Sequence, residues 1–241
     1  MDNQICGVHA IYEALVAGNP PIERIYVGRE TRSPKLQEVI ELAGQRGVPV
    51  RREDRVVLDR LAPGMSHQGI IAVSGEFVYS SQEVLFKTER PCIVVLDGVE
   101  DPHNLGAVIR TAEACNVSGI VVPERHSAPL SATVAKASAG ALAHVPVIRV
   151  GNLVSFLDQL KKKGVWVVGL DASGNKLWTG FDYTGPIALV FGGEHRGLRR
   201  LVRDHCDALV RLPMLGKVES LNISVTAGVV LYEVIRQRAP R

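Results

Sequence analysis

"CIVVLDGVEDPHNLGAVIRTAEACNVSGIVVP", residues 92–123, reads as a strand, a helix and a second strand. Its two outer runs, 92–98 and 119–123, are apolar throughout instead of alternating. Strands of that kind belong to parallel sheets covered on both faces. Between them, 104–116 places its apolar residues at helical spacing, and a parallel neighbour needs such a crossover. The pattern continues to the end of the chain. It predicts a helix over 130–144, a strand over 145–150, a helix over 153–164 and strands over 165–171 and 187–193. A helix over 198–205, a strand over 208–214 and a closing helix over 223–238 follow. Ligands of such sheets bind outside the carboxyl ends of the strands.

The front of the chain is a smaller α/β unit. "GVHAIYEALVAGNP" (7–20) has helical spacing and a Gly-Asn-Pro stop, and "IERIYVG" (22–28) reads as a strand. "SPKLQEVIELAGQRG" (33–47) is a helix with Ser33 as its cap and Pro34 in its first turn. "VPVRRE" (48–53) and "QGIIAVSG" (68–75) are further strands. "EFVYSSQEVLFKTERP" (76–91) lacks a period and reads as a connector. The expected organisation is a front domain over 1–75, a linker over 76–88 and a second domain over 89–241.

The bulk numbers exclude several classes. The 241 residues are 46% hydrophobic and 22% charged, the balance of a globular protein. A net charge of +3 permits a nucleic-acid partner without requiring one. Cys6, Cys92, Cys115 and Cys206 lie far apart, so neither a disulfide framework nor a metal site is expected. The start has no basic n-region, and no run approaches the roughly 20 apolar residues of a membrane span. The expectation is a cytoplasmic protein without membrane or metal. Neither the dinucleotide glycine fingerprint, nor a phosphate loop with its lysine, nor a nucleophile elbow is present.

Three strand ends carry polar residues beyond what packing requires. In "DPHNLGAVIRTA" (101–112), Asn104 can cap the helix. Gly106 leaves room near the backbone, and Arg110 lies four residues on, on the same face. Leaning toward the helix start, Arg110 suits a phosphate. In "IALVFGGEHRGLRRLVRDH" (187–205), a double glycine leaves room for a flat ligand and Glu194 follows at once. Arg196, Arg199, Arg200 and Arg203 make a stripe able to track a nucleic-acid backbone, or simply a solvated helix face. In "VRLPMLGKVESLNISVTAG" (210–228), Ser220, Asn222 or Ser224 can cap the last helix. Small residues, Ser224, Thr226, Ala227 and Gly228, open that helix and permit close packing within the chain or against another subunit.

Together, "NLGAVIRTAEA", "LVFGGEHRGL" and "LPMLGKVESLNISVTAG" resemble the three ordered motifs of the SpoU (TrmH-type) branch of the SPOUT RNA methyltransferases. "ASAGAL" (137–142) resembles a further recurrent segment of that family. The front part, with "GVHAIYEAL", "IYVGRE" and "SHQGIIAV", resembles the branch's small RNA-binding domain, similar to the ribosomal L30e fold. The pattern is closest to enzymes that methylate a guanosine 2′-hydroxyl of 23S rRNA. The resemblance implies an L30e-like α/β domain followed by a parallel-sheet SPOUT domain with a C-terminal trefoil knot. It implies S-adenosylmethionine as cofactor, RNA as substrate and a homodimer joined through the last helix. A transfer-RNA methyltransferase of the family, or a non-catalytic RNA-binding assembly factor, are the other readings.

Carried over by position, the resemblance implies Asn104, Arg110, Glu194, Asn222 and Ser224 as catalytic residues. It implies Gly192, Leu212, Leu221, Met214, Leu170 and Ser220 as cofactor-lining. Family accounts give the hydroxyl proton to the residue matching Arg110. A guanidinium keeps its proton in proteins, so the expectation here is that Arg110 anchors the phosphate beside the target ribose. Asn104 and Glu194 would orient it, and Asn222 and Ser224 would hold the third loop.

Overall fold

The computed structural model describes residues 4–193 and 197–239. In chain order its elements are β1 (Gln4–Cys6), α1 (Val8–Ala17), β2 (Ile22–Gly28), α2 (Pro34–Gln45), β3 (Val50–Glu53), α3 (Arg55–Leu61) and β4 (Ile70–Ser74). There follow β5 (Cys92–Asp97), α4 (Pro102–Ala114), β6 (Gly119–Pro123), α5 (Ala132–Ala137), β7 (Val147–Val150), α6 (Leu153–Lys162) and β8 (Trp166–Leu170). The chain closes with β9 (Lys176–Leu177), β10 (Ile187–Gly192), α7 (Arg200–Asp204), β11 (Ala208–Arg211) and α8 (Ile223–Arg238). It divides into two compact units, one of residues up to Val78 with Leu130–His144, the other of Tyr79–Pro129 with Val145 onward.

The first unit holds a four-stranded sheet ordered β1-β4-β2-β3, in which only β2 and β3 run parallel. Its core joins Ile11, Leu15, Ile25, Val27, Leu36 and Ile70. Ser33 caps α2 as expected, accepting a hydrogen bond from the Leu36 N–H, with Pro34 in the first turn. β1 and α3 were not predicted; both are short, at 3 and 7 residues, and offer too few turns of pattern to read.

The helix predicted over 130–144 is broken. α5 ends at Ala137, and Ala139 and Gly140 take left-handed φ values of 51° and 95°. "ASAGAL" is therefore a turn. Gly140 has no side chain because a Cβ there would meet the Glu13 Cγ of α1 at 2.7 Å. The Glu13 carboxylate also lies 2.7 Å from His144 Nε2. This segment packs with the first unit although it comes from the middle of the second.

The second unit is the expected parallel sheet, with seven strands ordered β7-β6-β5-β10-β8-β11-β9. Ile93, Val95, Val121, Ala188 and Val190 are buried in its core beside Leu153, Phe156, Leu157 and Leu160 of α6. The connector expected over 76–88 is partly built into this unit. Residues 82–86 form a 3-10 turn, and Leu85 is fully buried against the same core. Val84 and Phe86 pack against the same core, and five residues are too few for a period to show in the sequence.

Among the described residues no helix is long and apolar enough to cross a membrane. None of their His, Cys, Asp and Glu side chains cluster in a way that could hold a metal ion.

Candidate active site

Two features meet at the carboxyl end of the seven-stranded sheet. The first is a cavity of about 350 Å³ beyond β8, β10 and β11. All six residues predicted to line a cofactor, Leu170, Gly192, Leu212, Met214, Ser220 and Leu221, line it together. Phe191, Val210, Ile223 and Thr226 complete its wall, and Asp171 and Glu219 bring carboxylates to it. Gly192 is required by contact: a Cβ there would overlap the backbone of Gly197 and Leu198. A Cβ on Gly193 would stand 2.5 Å from the Gly98 carbonyl oxygen. The double glycine thus lets β5 and β10 close together at the cavity edge.

The second feature is a polar chain across the starts of α4 and α8. Asn104 does not cap α4. Asp101 does, accepting from the His103 N–H at 2.8 Å, with Pro102 in the first turn. The Asp-Pro pair at 101–102 was a legible cap signal. Asn104 is thereby freed for tertiary work. Its Nδ2 donates to Asp101 Oδ2 at 3.2 Å, and its Oδ1 accepts from Asn222 Nδ2 at 2.9 Å. Asn222 is the cap of α8, accepting from the Ser224 N–H at 2.8 Å and the Ser224 hydroxyl at 2.6 Å. Residues 118 positions apart therefore share one hydrogen-bonded chain.

Arg110 is exposed on α4, and among the described residues no hydrogen-bond or ion-pair partner holds its guanidinium. Gly106 is buried on the packed side of α4, so it is not the exposed patch beneath Arg110 that the sequence suggested. Glu194 and Arg196 lie outside the described residues.

Sequence reasoning missed Asp97, the last residue of β5. Its side chain is fully buried and accepts from the Arg199 backbone N–H at 2.8 Å and from Arg199 Nε at 2.5 Å. Arg199 precedes α7 and is not a free member of a basic stripe. α7 has only five residues, against the eight expected, because the chain reaches Arg199 in extended conformation to make this pair. Arg200 and Arg203 remain near solvent, beside Asp204. Nothing in the run "VVLDG" distinguishes Asp97 from an ordinary turn residue; its partner is 102 positions away.

For the small residues of α8, packing within the chain was one of the two expectations. Ala227 is fully buried, and Gly228 lies against α4, where a Cβ would stand 3.9 Å from Thr111 Cγ2. The small face serves packing within the chain. The exposed face carries Val225, Val229 and Tyr232 at helical spacing.

The pattern of the SpoU rRNA methylase family matches residues 91–232. The chain belongs to this family. The pattern of the substrate-binding domain of RNA 2′-O-ribose methyltransferases matches residues 4–79 of this SpoU family member. A 23S rRNA (guanosine-2′-O-)-methyltransferase of Pseudomonas aeruginosa is 44% identical over 98% of the chain and 97% of its own length. A putative TrmH family tRNA/rRNA methyltransferase of Bacillus subtilis is 42% identical over 98% of the chain and 96% of its own. The crystal structure of an S-adenosylmethionine-bound rRNA methyltransferase from Sinorhizobium meliloti superposes with a TM-score of 0.85. It is 28% identical over 99% of this SpoU chain and 88% of that one.

Proposed function

We propose that this protein transfers a methyl group from S-adenosylmethionine to a guanosine ribose 2′-hydroxyl in 23S rRNA. The observation that carries the reading is the junction at α8. Ile223 and Thr226 of its first turns line the cavity, while its cap Asn222 bonds Asn104 on the helix of Arg110. One helix start thus joins a cofactor-sized cavity to the exposed cation.

The cavity suits the cofactor. Its volume falls in the range of small-molecule sites, it is mainly apolar, and its glycine edge admits a flat group. The carboxylates of Asp171 and Glu219 suit a ligand that carries positive charge. When bound, that cofactor supplies an electrophilic methyl. The chain's own residues do the rest. Arg110 holds a phosphate beside the target ribose with a planar two-pronged donor and favours negative charge developing on the 2′-oxygen. Asn104, fixed between Asp101 and Asn222, keeps the start of α4 in register with α8. Ser224 holds the Asn222 carboxamide in its capping orientation. Glu194, outside the described residues, is assigned to the same site by the family resemblance alone. Alignment of the ribose oxygen with the methyl accounts for much of the acceleration.

The same reading gives the front domain, 1–75, to RNA binding. Arg29 and Arg55 line a cavity of about 780 Å³ there, at the carboxyl ends of β2 and β3, together with Glu30, Asp54 and Asp59, and Arg29 lies 3.5 Å from Asp54. The reading also keeps a C-terminal knot, a cytoplasmic location and a homodimer, with a second copy covering Val225, Val229 and Tyr232. Sedimentation of a Tyr232→Glu variant as a monomer, against a dimeric parent, tests the last point.

The name of the Bacillus subtilis relative sets a second substrate, transfer RNA, beside ribosomal RNA. Incubation with tritiated S-adenosylmethionine and either unmodified 23S rRNA or unmodified bulk tRNA separates the two. Label on the ribosomal RNA alone is expected; label on tRNA alone overturns the substrate.

A further inference from the structure

A second cavity, of about 450 Å³, opens beyond the carboxyl ends of β6 and β7. Arg125, Arg199 and Arg200 line it, and among the described residues no carboxylate does. Pro123, Leu153, Val154, Leu201 and Val202 give it an apolar side, and His126 and Asn152 add polar groups. Leu201 is 64% exposed. The first turn of α6 also faces the cavity, through Leu153 and Val154. N–H groups in a first turn have no acceptor within their own helix.

The position matters as much as the charge. In the sheet, β6 and β7 are the first and second strands beyond β5, on the side away from the cofactor cavity. Neighbouring strands lie about 4.8 Å apart, so the cavity stands roughly 5–10 Å along the sheet edge from the end of β5. Asn104 and Arg110 are on the helix that follows β5. The carboxyl edge of one sheet thus carries, in order, the cofactor cavity, the polar chain and this basic cavity. Arg199 links them, with its guanidinium on Asp97 at the end of β5.

We infer that this cavity is a nucleotide subsite for the RNA strand flanking the methylated ribose. One phosphodiester is held by Arg125 and Arg200, and its sugar or base lies on Leu201. The inference rests on the proposed RNA methylation. The apolar floor beside the cations argues for a nucleotide unit instead of a bare anion. Three exposed carboxylates neighbour residues of its lining. Glu100 is 3.4 Å from His126, Asp204 is 3.7 Å from Arg200, and Glu124 lies beside Gly151. They set a threshold of negative charge that the RNA must displace. Removing Asp204 therefore tightens binding by freeing Arg200, while removing Arg200 weakens it.

The test is equilibrium binding of an unmodified 23S rRNA transcript across a salt series, with S-adenosylmethionine affinity measured in parallel. Arg125→Ala/Arg200→Ala is expected to bind RNA roughly tenfold more weakly, with the salt slope reduced by about 0.7, the value for one phosphate on a single strand. Leu201→Ser weakens binding with the slope unchanged, and Asp204→Asn strengthens it. Cofactor affinity stays at the parent value in all three, which also reports intact folding. Parent-like RNA affinity and slope in the double arginine variant overturn the subsite. So does tight binding of free guanosine monophosphate to the parent that is lost in the double variant while RNA binding is kept. A parent that binds cofactor but neither binds nor methylates any RNA overturns the proposed function itself.

Discussion

The Asp97–Arg199 pair makes an asymmetric prediction. The Asp97 side chain is fully buried, whereas that of Arg199 is 45% exposed. Arg199→Ala therefore leaves a buried carboxylate without its countercharge, a loss that costs about 3–5 kcal/mol. Asp97→Asn leaves a guanidinium that turns to water, and an amide oxygen that still accepts from the Arg199 N–H. The pair's own attraction is discounted by that exposure. What remains is the difference between a charged and a neutral acceptor, about 1–2 kcal/mol. At roughly 2–4 °C per kcal/mol for a chain of this size, Arg199→Ala lowers Tm by about 10 °C and Asp97→Asn by about 4 °C. The double variant, lacking both charges, is more stable than Arg199→Ala alone. Scanning calorimetry at neutral pH on the three variants reads all of this. Equal losses in the single variants that add in the double would refute the reasoning, because the stranded charge is its whole basis.

Gly192→Ala should abolish S-adenosylmethionine binding, since its Cβ would overlap the Gly197 carbonyl carbon and the Leu198 nitrogen and must push this backbone at the cavity edge out of place; a calorimetric titration with parent-like affinity contradicts this. The Arg236 guanidinium, hydrogen-bonded at 2.7 Å, holds the Glu233 carboxyl below its ordinary 4.5. Its contribution to stability is full above that value and is lost as pH falls through the depressed one. The Tm gap between parent and Glu233→Gln should accordingly shrink on acidification below about pH 4, measured in a pH series. Burial pushes Cys92 and Cys206 up to about 12 and Cys115 up to about 11, and raises Cys6. The thiolate is the reactive form, so the folded protein should resist iodoacetamide at pH 8 and react fully only in denaturant, as mass spectrometry will show.

The parallel sheet was legible because its strands are apolar throughout and its helices are long enough to show a period. The pieces that escaped were short or non-local. β1 and β9 have three and two residues. The break at Ala139–Gly140 is dictated by Glu13, more than 120 positions earlier. At the site, the motif positions around Gly192, Leu212 and Leu221 pointed to residues that now share one cavity. From its neighbours alone Asn104 could be a cap, although Asp101-Pro102 is the better one, and only the family resemblance marked it as a site residue. Its bond to Asn222 has no local signature. Asp97 escaped for the same reason: a carboxylate at a strand end looks like a turn residue until its arginine is seen.

The account assigns the cofactor to the cavity and the ribose phosphate to Arg110, so the two functions must separate in one variant. Single-turnover methyl transfer to 23S rRNA by Arg110→Ala, beside its affinity for S-adenosylmethionine, tests this most directly. The account predicts transfer slowed by roughly 10²–10³-fold, the usual cost of one lost charge-stabilising donor, with cofactor affinity unchanged. Parent-like transfer, or a collapse of cofactor binding, would contradict it.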